Sequence, residues 1–286
     1  MERLTEIMQL SARSGVELGS DNETEEERLE RSKKACQLRC DSANRAEGNL
    51  NEYDGYNCEI CKNKGYIIVP ELYLNTYSDK QVTCKCARIR RTIRALNRSG
   101  LANVVQDYTF EKYIATEEWQ KSVLNTAKSY FANCENEWFF FGGSTGSGKT
   151  HICTAIAVLM LKQGKQVQYM LWRDEASRLK AIVNEPEYEN AIRLYKTVDV
   201  LYIDDLFKTG KNDVQGKQRP TVADINLAFE IINSRAVQKK ITIISSESTL
   251  TDLIDIDEAI AGRIKQKCGE YCINIAPDRS KNYRLR

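Results

Sequence analysis

The chain has 286 residues, 42% hydrophobic and 29% charged, with a formal net charge of +2. This describes a globular protein of one large domain plus a small one, not a disordered or membrane-embedded chain. Near-neutral charge also excludes a molecule that holds nucleic acid over its whole surface, so any basic surface has to be local. The longest strongly apolar run is about ten residues, too short to cross a bilayer. Ten cysteines without an apolar export segment at the N-terminus predict a reducing, cytoplasmic setting, where clustered thiols bind metal more often than they form disulfides.

Residues 1–52 are polar, and Glu25-Glu-Glu-Arg-Leu-Glu-Arg-Ser-Lys-Lys34 sets acids ahead of bases at helical spacing. An exposed, charged helical arm is expected, either simply solvated or a docking arm for a partner. Cys36 and Cys40 lie four apart on the same helix and could form a rival ligand pair to the cysteines that follow. Residues 53–98 then carry Cys58-Glu-Ile-Cys61, a glycine at 65, an extended stretch to Tyr73 and Cys84-Lys-Cys86. Two close cysteine pairs some twenty residues apart can close four thiolates around a tetrahedral ion, and Zn²⁺ suits such soft ligands. An iron–sulfur cluster or four plain buried thiols are the alternatives. The role expected of zinc is structural, because so short a module buries too little apolar surface to stand alone. A basic helix follows from Ala87 to Leu96, then a linker over 99–106.

From residue 107 onward helices alternate with short apolar strands, the pattern of a parallel α/β sheet. Strands are predicted near 138–142, 166–171, 199–203, 241–245 and 271–275. Between the first strand and an apolar helix stands Gly143-Ser-Thr-Gly-Ser-Gly-Lys-Thr150, a complete phosphate-binding loop. Glycines let backbone N–H groups wrap a triphosphate, Lys149 reaches its β- and γ-phosphates, and the Thr150 hydroxyl ligates Mg²⁺. The cofactor-binding residues are therefore Gly143, Ser144, Thr145, Gly146, Ser147, Gly148, Lys149, Thr150 and the adjoining His151. The strand Val198–Ile203 ends in Asp204-Asp205, where such sheets bind ligands. Asp204 is assigned to Mg²⁺ and Asp205 to the attacking water. Ser246 or Glu247, at the tip of the strand Ile241–Ser245, would sense the γ-phosphate if that strand lies between the two motif strands; a strand running into a turn is the other reading. No guanine-reading Asn/Thr-Lys-x-Asp motif occurs, which favours ATP. A P-loop small-molecule kinase with an accessory zinc module is a competing class.

Taken with Ser99-Gly-Leu101, Ile-Ile-Asn-Ser-Arg235 and Ala-Gly-Arg-Ile264, these motifs resemble the AAA+ ATPases of the DnaC/DnaI helicase-loader type, related to the IstB transposition ATPases. The resemblance implies an AAA+ P-loop core over 107–286, preceded by the zinc module and helical arm. With 23 residues after Arg263, it also implies a core without the C-terminal lid of larger relatives. It implies weak ATP hydrolysis, with Arg263 as an arginine finger offered in trans, and Arg284 at best a distant substitute for a lid arginine. It implies as partners a hexameric replicative helicase, single-stranded DNA and further copies of the chain in the ATP state, and no membrane. An IstB-like transposition helper is the nearest alternative. The loop Lys208–Pro220 and the basic stretch 80–98 are the expected DNA or partner contacts.

Overall fold

A computed structural model describes residues 24–98, 104–208 and 219–283. The linker residues 99–103, the centre of the basic loop (209–218) and Arg284 lie outside the described residues. The chain divides into two compact units, residues 1–87 and 88–286.

In the first unit, helix α1 (Glu25–Arg45) starts at a capping box in which Thr24 and Glu27 satisfy each other's backbone N–H groups. A short helix α2 (Leu50–Asp54) ends in Gly55. Strands β1 (Tyr66–Tyr73) and β2 (Thr76–Thr83) pair antiparallel from Tyr66↔Thr83 to Tyr73↔Thr76. The helix is docked on this hairpin rather than standing free. Asn44 exchanges two hydrogen bonds with the backbone of Ile68 (2.7 and 2.9 Å), which satisfies peptide groups a two-stranded ribbon leaves open. Ser32 accepts from the Tyr77 N–H at 2.9 Å, and Arg39 bonds Asp79 at 3.0 Å. The solvent face of α1 matches the acid-before-base reading, while Cys36 and Cys40 form a fully buried stripe beneath it.

Helix α3 (Cys86–Arg98) begins in the first unit and continues into the second. Its basic character divides by depth: Arg88, Arg91 and Arg94 are exposed, whereas Arg90 is buried with Ile93 and Leu96. Lys80, from the same basic stretch, is paired with Glu71.

The second unit is a five-stranded parallel sheet with helices between its strands. These are β3 (Phe139–Gly143), β4 (Val167–Leu171), β5 (Val200–Asp204), β6 (Ile241–Ser246) and β7 (Cys272–Ile275), in the spatial order β4-β5-β6-β3-β7. All five predicted strands are present within about a residue of their expected positions. Strands β3, β5 and β6 are buried at every residue, as expected of inner strands covered on both faces. After β3 comes helix α4 (Lys149–Lys162), with ten buried residues. Three further helices bear on the site and the core: α5 (Tyr188–Thr197), α6 (Val222–Val237) and α7 (Glu258–Cys268). Trp138, Phe140, Trp172 and Phe207 anchor the main core, the last two edge to face at 5.5 Å. Arg235 of α6 is wholly buried and ties this core to the sheet ends. It donates to the carbonyls of Tyr195 (2.8 Å), Val198 (3.0 Å), Asp199 (3.5 Å) and Ile241, and to the Thr242 hydroxyl (2.9 Å).

Candidate nucleotide site and metal centre

The sheet order decides the nucleotide site. Strand β6 runs between β3 and β5, with Phe139 opposite Ile243 and Val200 opposite Ile241, so the ends of all three strands open into one cleft. Its walls are the loop 145–150 together with Tyr113, Trp119, Asp205, Lys208, Glu247 and Tyr283, around a cavity of about 240 Å³.

The loop's glycines are fixed by geometry. Gly143 has φ of 108°, and a Cβ there would lie 1.9 Å from the Ile275 carbonyl oxygen; Gly148 has φ of 87° and faces Tyr113. Such a cradle, opening onto the N-terminus of α4, fits a polyphosphate. Lys149 is folded back, donating to the carbonyls of Gly143 (2.9 Å) and Ser144 (2.8 Å). Burial pulls its pKa below the ordinary lysine value, against the opposing charges of Asp205 and Glu247. It is therefore a buried cation poised beside the phosphate cradle. His151 donates its Nε2–H to the Thr109 carbonyl (2.8 Å) and packs against the rings of Tyr108 and Tyr113, which ties the segment 108–113 to the start of α4. On the other flank the Ser144 hydroxyl bonds the Asp278 carbonyl (3.1 Å), and the Tyr283 N–H donates to the Gly146 carbonyl (3.0 Å).

The Thr150 hydroxyl and Asp204 lie 3.5 Å apart, a donor pair that suits Mg²⁺. Asp204 is nearly buried and accepts from Tyr169 (2.9 Å), Tyr202 (2.8 Å) and Ser245 (2.5 Å). Burial dominates and holds its pKa above 3.8 despite those bonds. Asp205 adopts a left-handed backbone (φ 57°), and its N–H donates to the Ser245 hydroxyl at 2.9 Å. Strain at the tip of an inner strand is typical of sites where a side chain must be aimed.

Glu247 does face the cleft, where its carboxylate would repel a γ-phosphate unless a cation stood beside it, and Lys208 does. Lys208 Nζ lies 2.9 Å from Asp205 and 3.0 Å from Glu247, bridging the two carboxylates. Burial lowers the pKa of Lys208, but the bonds and charges of Asp205 and Glu247 together outweigh it and hold it above the ordinary lysine value. This first residue of the loop expected to contact DNA is thus part of the nucleotide cleft. Ser246 is not: its buried hydroxyl donates to the Leu206 carbonyl at 2.9 Å and accepts from the Ser248 N–H. The polar role at the β6 tip belongs to Ser245 and Glu247. Arg263, on α7, lies away from its own chain's cleft, with its guanidinium 4.9 Å from the centre of the Phe229 ring.

In the first unit Cys58, Cys61, Cys84 and Cys86 converge, all buried. Their sulfurs approach to 3.8 Å (Cys58–Cys84) and 3.6 Å (Cys61–Cys86). The Gly65 N–H donates to Cys61 Sγ at 3.3 Å. Burial works against the Cys61 thiolate, yet that N–H and the three neighbouring thiols bring its pKa down to about 7. Four convergent sulfurs with an N–H aimed at one of them fit a structural Zn²⁺. No helix among the described residues is long and apolar enough to cross a membrane.

The family described as IstB-like ATP binding protein matches residues 75–281. The phage-like element PBSX protein XkdC of Bacillus subtilis is 30% identical, across 80% of this chain and 85% of its own length. Replicative helicase loader DnaC of Escherichia coli is 27% identical, across 58% of this chain and 66% of its own. The fold overlaps the crystal structure of the DnaC helicase loader at 22% identity (61% of this chain, 98% of that one, TM-score 0.47). It also overlaps AMPPCP-bound DnaA from Aquifex aeolicus at 23% identity, spanning about half of that chain (53%; TM-score 0.48). With a phosphate cradle, an acidic strand tip and a family match over most of its length, this chain belongs to the IstB/DnaC-like ATP-binding proteins.

Proposed function

We propose that this protein is an ATP-dependent loader of a replicative DNA helicase, in which ATP binding favours assembly with the helicase ring and hydrolysis favours release. The reading rests above all on one chain joining this nucleotide cleft to a preceding four-cysteine unit. The relatives named helicase loaders support it.

In this reading Lys149 holds the β- and γ-phosphates, and Thr150 with Asp204 holds Mg²⁺. Asp205 orients and deprotonates the attacking water. ATP supplies the γ-phosphoryl group whose loss ends the assembled state. Lys208 neutralises Glu247 so that a carboxylate is tolerated beside the γ-phosphate. Arg263 acts on the cleft of a neighbouring copy, and Arg88, Arg91 and Arg94 offer an exposed basic face to single-stranded DNA. The expected setting is cytoplasmic, and the expected ATP turnover is slow.

The test is a pull-down with the full chain as bait, with and without ATP, alongside Lys149→Ala and Cys58→Ser. Recovery of a hexameric helicase with ATP, lost in both variants, is expected. ATP turnover measured with and without single-stranded DNA completes it. The IstB-like family match, taken with the resemblance of the motifs to the IstB transposition ATPases, favours one second reading, an ATPase helper of transposition. Recovery of a transposase in place of a helicase would establish that reading and overturn the loader.

A further inference from the structure

A second group of metal-ligand side chains lies in the first unit, apart from the four-cysteine centre. Cys36 and Cys40 stand one helical turn apart on α1, both fully buried, with their sulfurs 3.9 Å apart. Asp79 reaches them from β2, and the Cys36 thiol donates to its Oδ1 at 3.2 Å. The three ligand atoms all lie within 4.8 Å of one another.

These separations match a metal's geometry. Zinc–sulfur bonds of about 2.3 Å at a tetrahedral angle place two sulfurs about 3.8 Å apart; with a carboxylate oxygen at about 2.0 Å, sulfur and oxygen lie about 3.5 Å apart. The observed 3.9 and 3.2 Å bracket both figures within a few tenths of an ångström. They are also close to the 3.8 and 3.6 Å found between sulfurs of the four-cysteine centre.

Charge balances as well. Two thiolates and a carboxylate carry three negative charges, which a divalent cation and the Arg39 guanidinium offset in full. Arg39 donates to Asp79 at 3.0 Å, an outer hydrogen bond of the kind that orients a ligating carboxylate. The site is also preorganised, because Asn44 and Ser32 hold α1 on the hairpin independently of these three residues.

We propose that Cys36, Cys40 and Asp79 form a second metal site, for a zinc-class divalent cation, with three protein ligands and a fourth position for water. The thiols give up their protons to solvent as the ion binds. Its effect is to fasten the helical arm to the hairpin through residues about forty positions apart in the chain.

The experiment titrates Zn²⁺ into the metal-stripped full chain under a non-thiol reductant and counts ions by native mass spectrometry. Two equivalents are expected for the parent protein and one for C36S/C40S, with ATP binding unchanged. Asp79→Asn keeps both thiols and decides the matter should the double variant fail to fold. It should weaken one equivalent at least tenfold and leave the other untouched. Co²⁺ in place of Zn²⁺ should show two distinct visible spectra, one absent from Asp79→Asn. A single equivalent in the parent protein, or two equally tight equivalents in Asp79→Asn, overturns the proposal.

Discussion

Lys208→Met tests whether the cation between Asp205 and Glu247 makes the cleft hospitable to ATP. Its ammonium sits 2.9 and 3.0 Å from the two carboxylates. A unit-charge pair at about 4 Å is worth roughly 4 kcal/mol at an effective dielectric near 20. The Lys208 side chain is 38% exposed, so solvent screening cuts this to about 1–2 kcal/mol. Without Lys208, the two carboxylates lose the cation that bridges them as a polyphosphate approaches. Affinity for Mg²⁺-ATP should fall roughly 5- to 30-fold, the factor that 1–2 kcal/mol carries. Isothermal titration calorimetry at two salt concentrations reads this directly, with a smaller loss at higher salt. Adding Glu247→Gln to Lys208→Met removes one of the exposed charges and should restore most of the affinity. Wild-type affinity in Lys208→Met, or no recovery in the double variant, would refute the reasoning.

Lys149→Ala should abolish measurable ATP binding while leaving the melting temperature within a degree or two, since the side chain bonds only loop carbonyls. Asp204 has a folded-state pKa above its ordinary 3.8, so holding its charge costs stability. That cost is absent below 3.8 and grows as pH rises toward the folded value. Asp204→Asn should therefore raise the nucleotide-free melting temperature at pH 7, by about 1 kcal/mol of stability, while losing Mg²⁺-dependent binding. Arg235→Met leaves at least three buried carbonyls without their donor and should destabilise the ATPase unit by about 3–5 kcal/mol, read by urea denaturation. Cys58→Ser should release zinc and lower protection of residues 24–87 in hydrogen exchange, with the exchange of β3 and β5 unchanged.

The sheet was legible because its inner strands are short apolar runs bounded by helices, and because Gly143–Thr150 and Asp204-Asp205 mark strand ends by chemistry alone. The hairpin was only half legible. Strand β1 contains Ile67-Ile-Val69, but β2 reads Thr-Tyr-Ser-Asp-Lys-Gln-Val-Thr and is exposed at most positions, so it carries no burial signal. The docking of α1 was hidden for a similar reason, since it depends on Asn44 and Ser32, whose partners are backbone groups more than twenty positions away. Lys208 and Ser245 were missed as site residues because their roles arise only when β6 is inserted beside β5. That juxtaposition joins residues some forty positions apart and leaves no periodic trace. A polar residue at the tip of every strand around the loop was the available signal. It pointed to Glu247, which faces the cleft, and to Ser246, whose hydroxyl bonds Leu206 and Ser248 while Ser245 bonds Asp204 and Asp205.

The segment from Ile275 to Tyr283 holds the phosphate loop by hydrogen bonds at Ser144 and Gly146. Loop shape and tail attachment are therefore two coordinates of one equilibrium. Whatever free energy nucleotide contributes to tightening the tail, a partner pulling on or covering the tail must return, with equal magnitude, as a change in nucleotide affinity. A contact made on residues 276–282 would thus bear on the nucleotide cleft through the backbone of its phosphate loop.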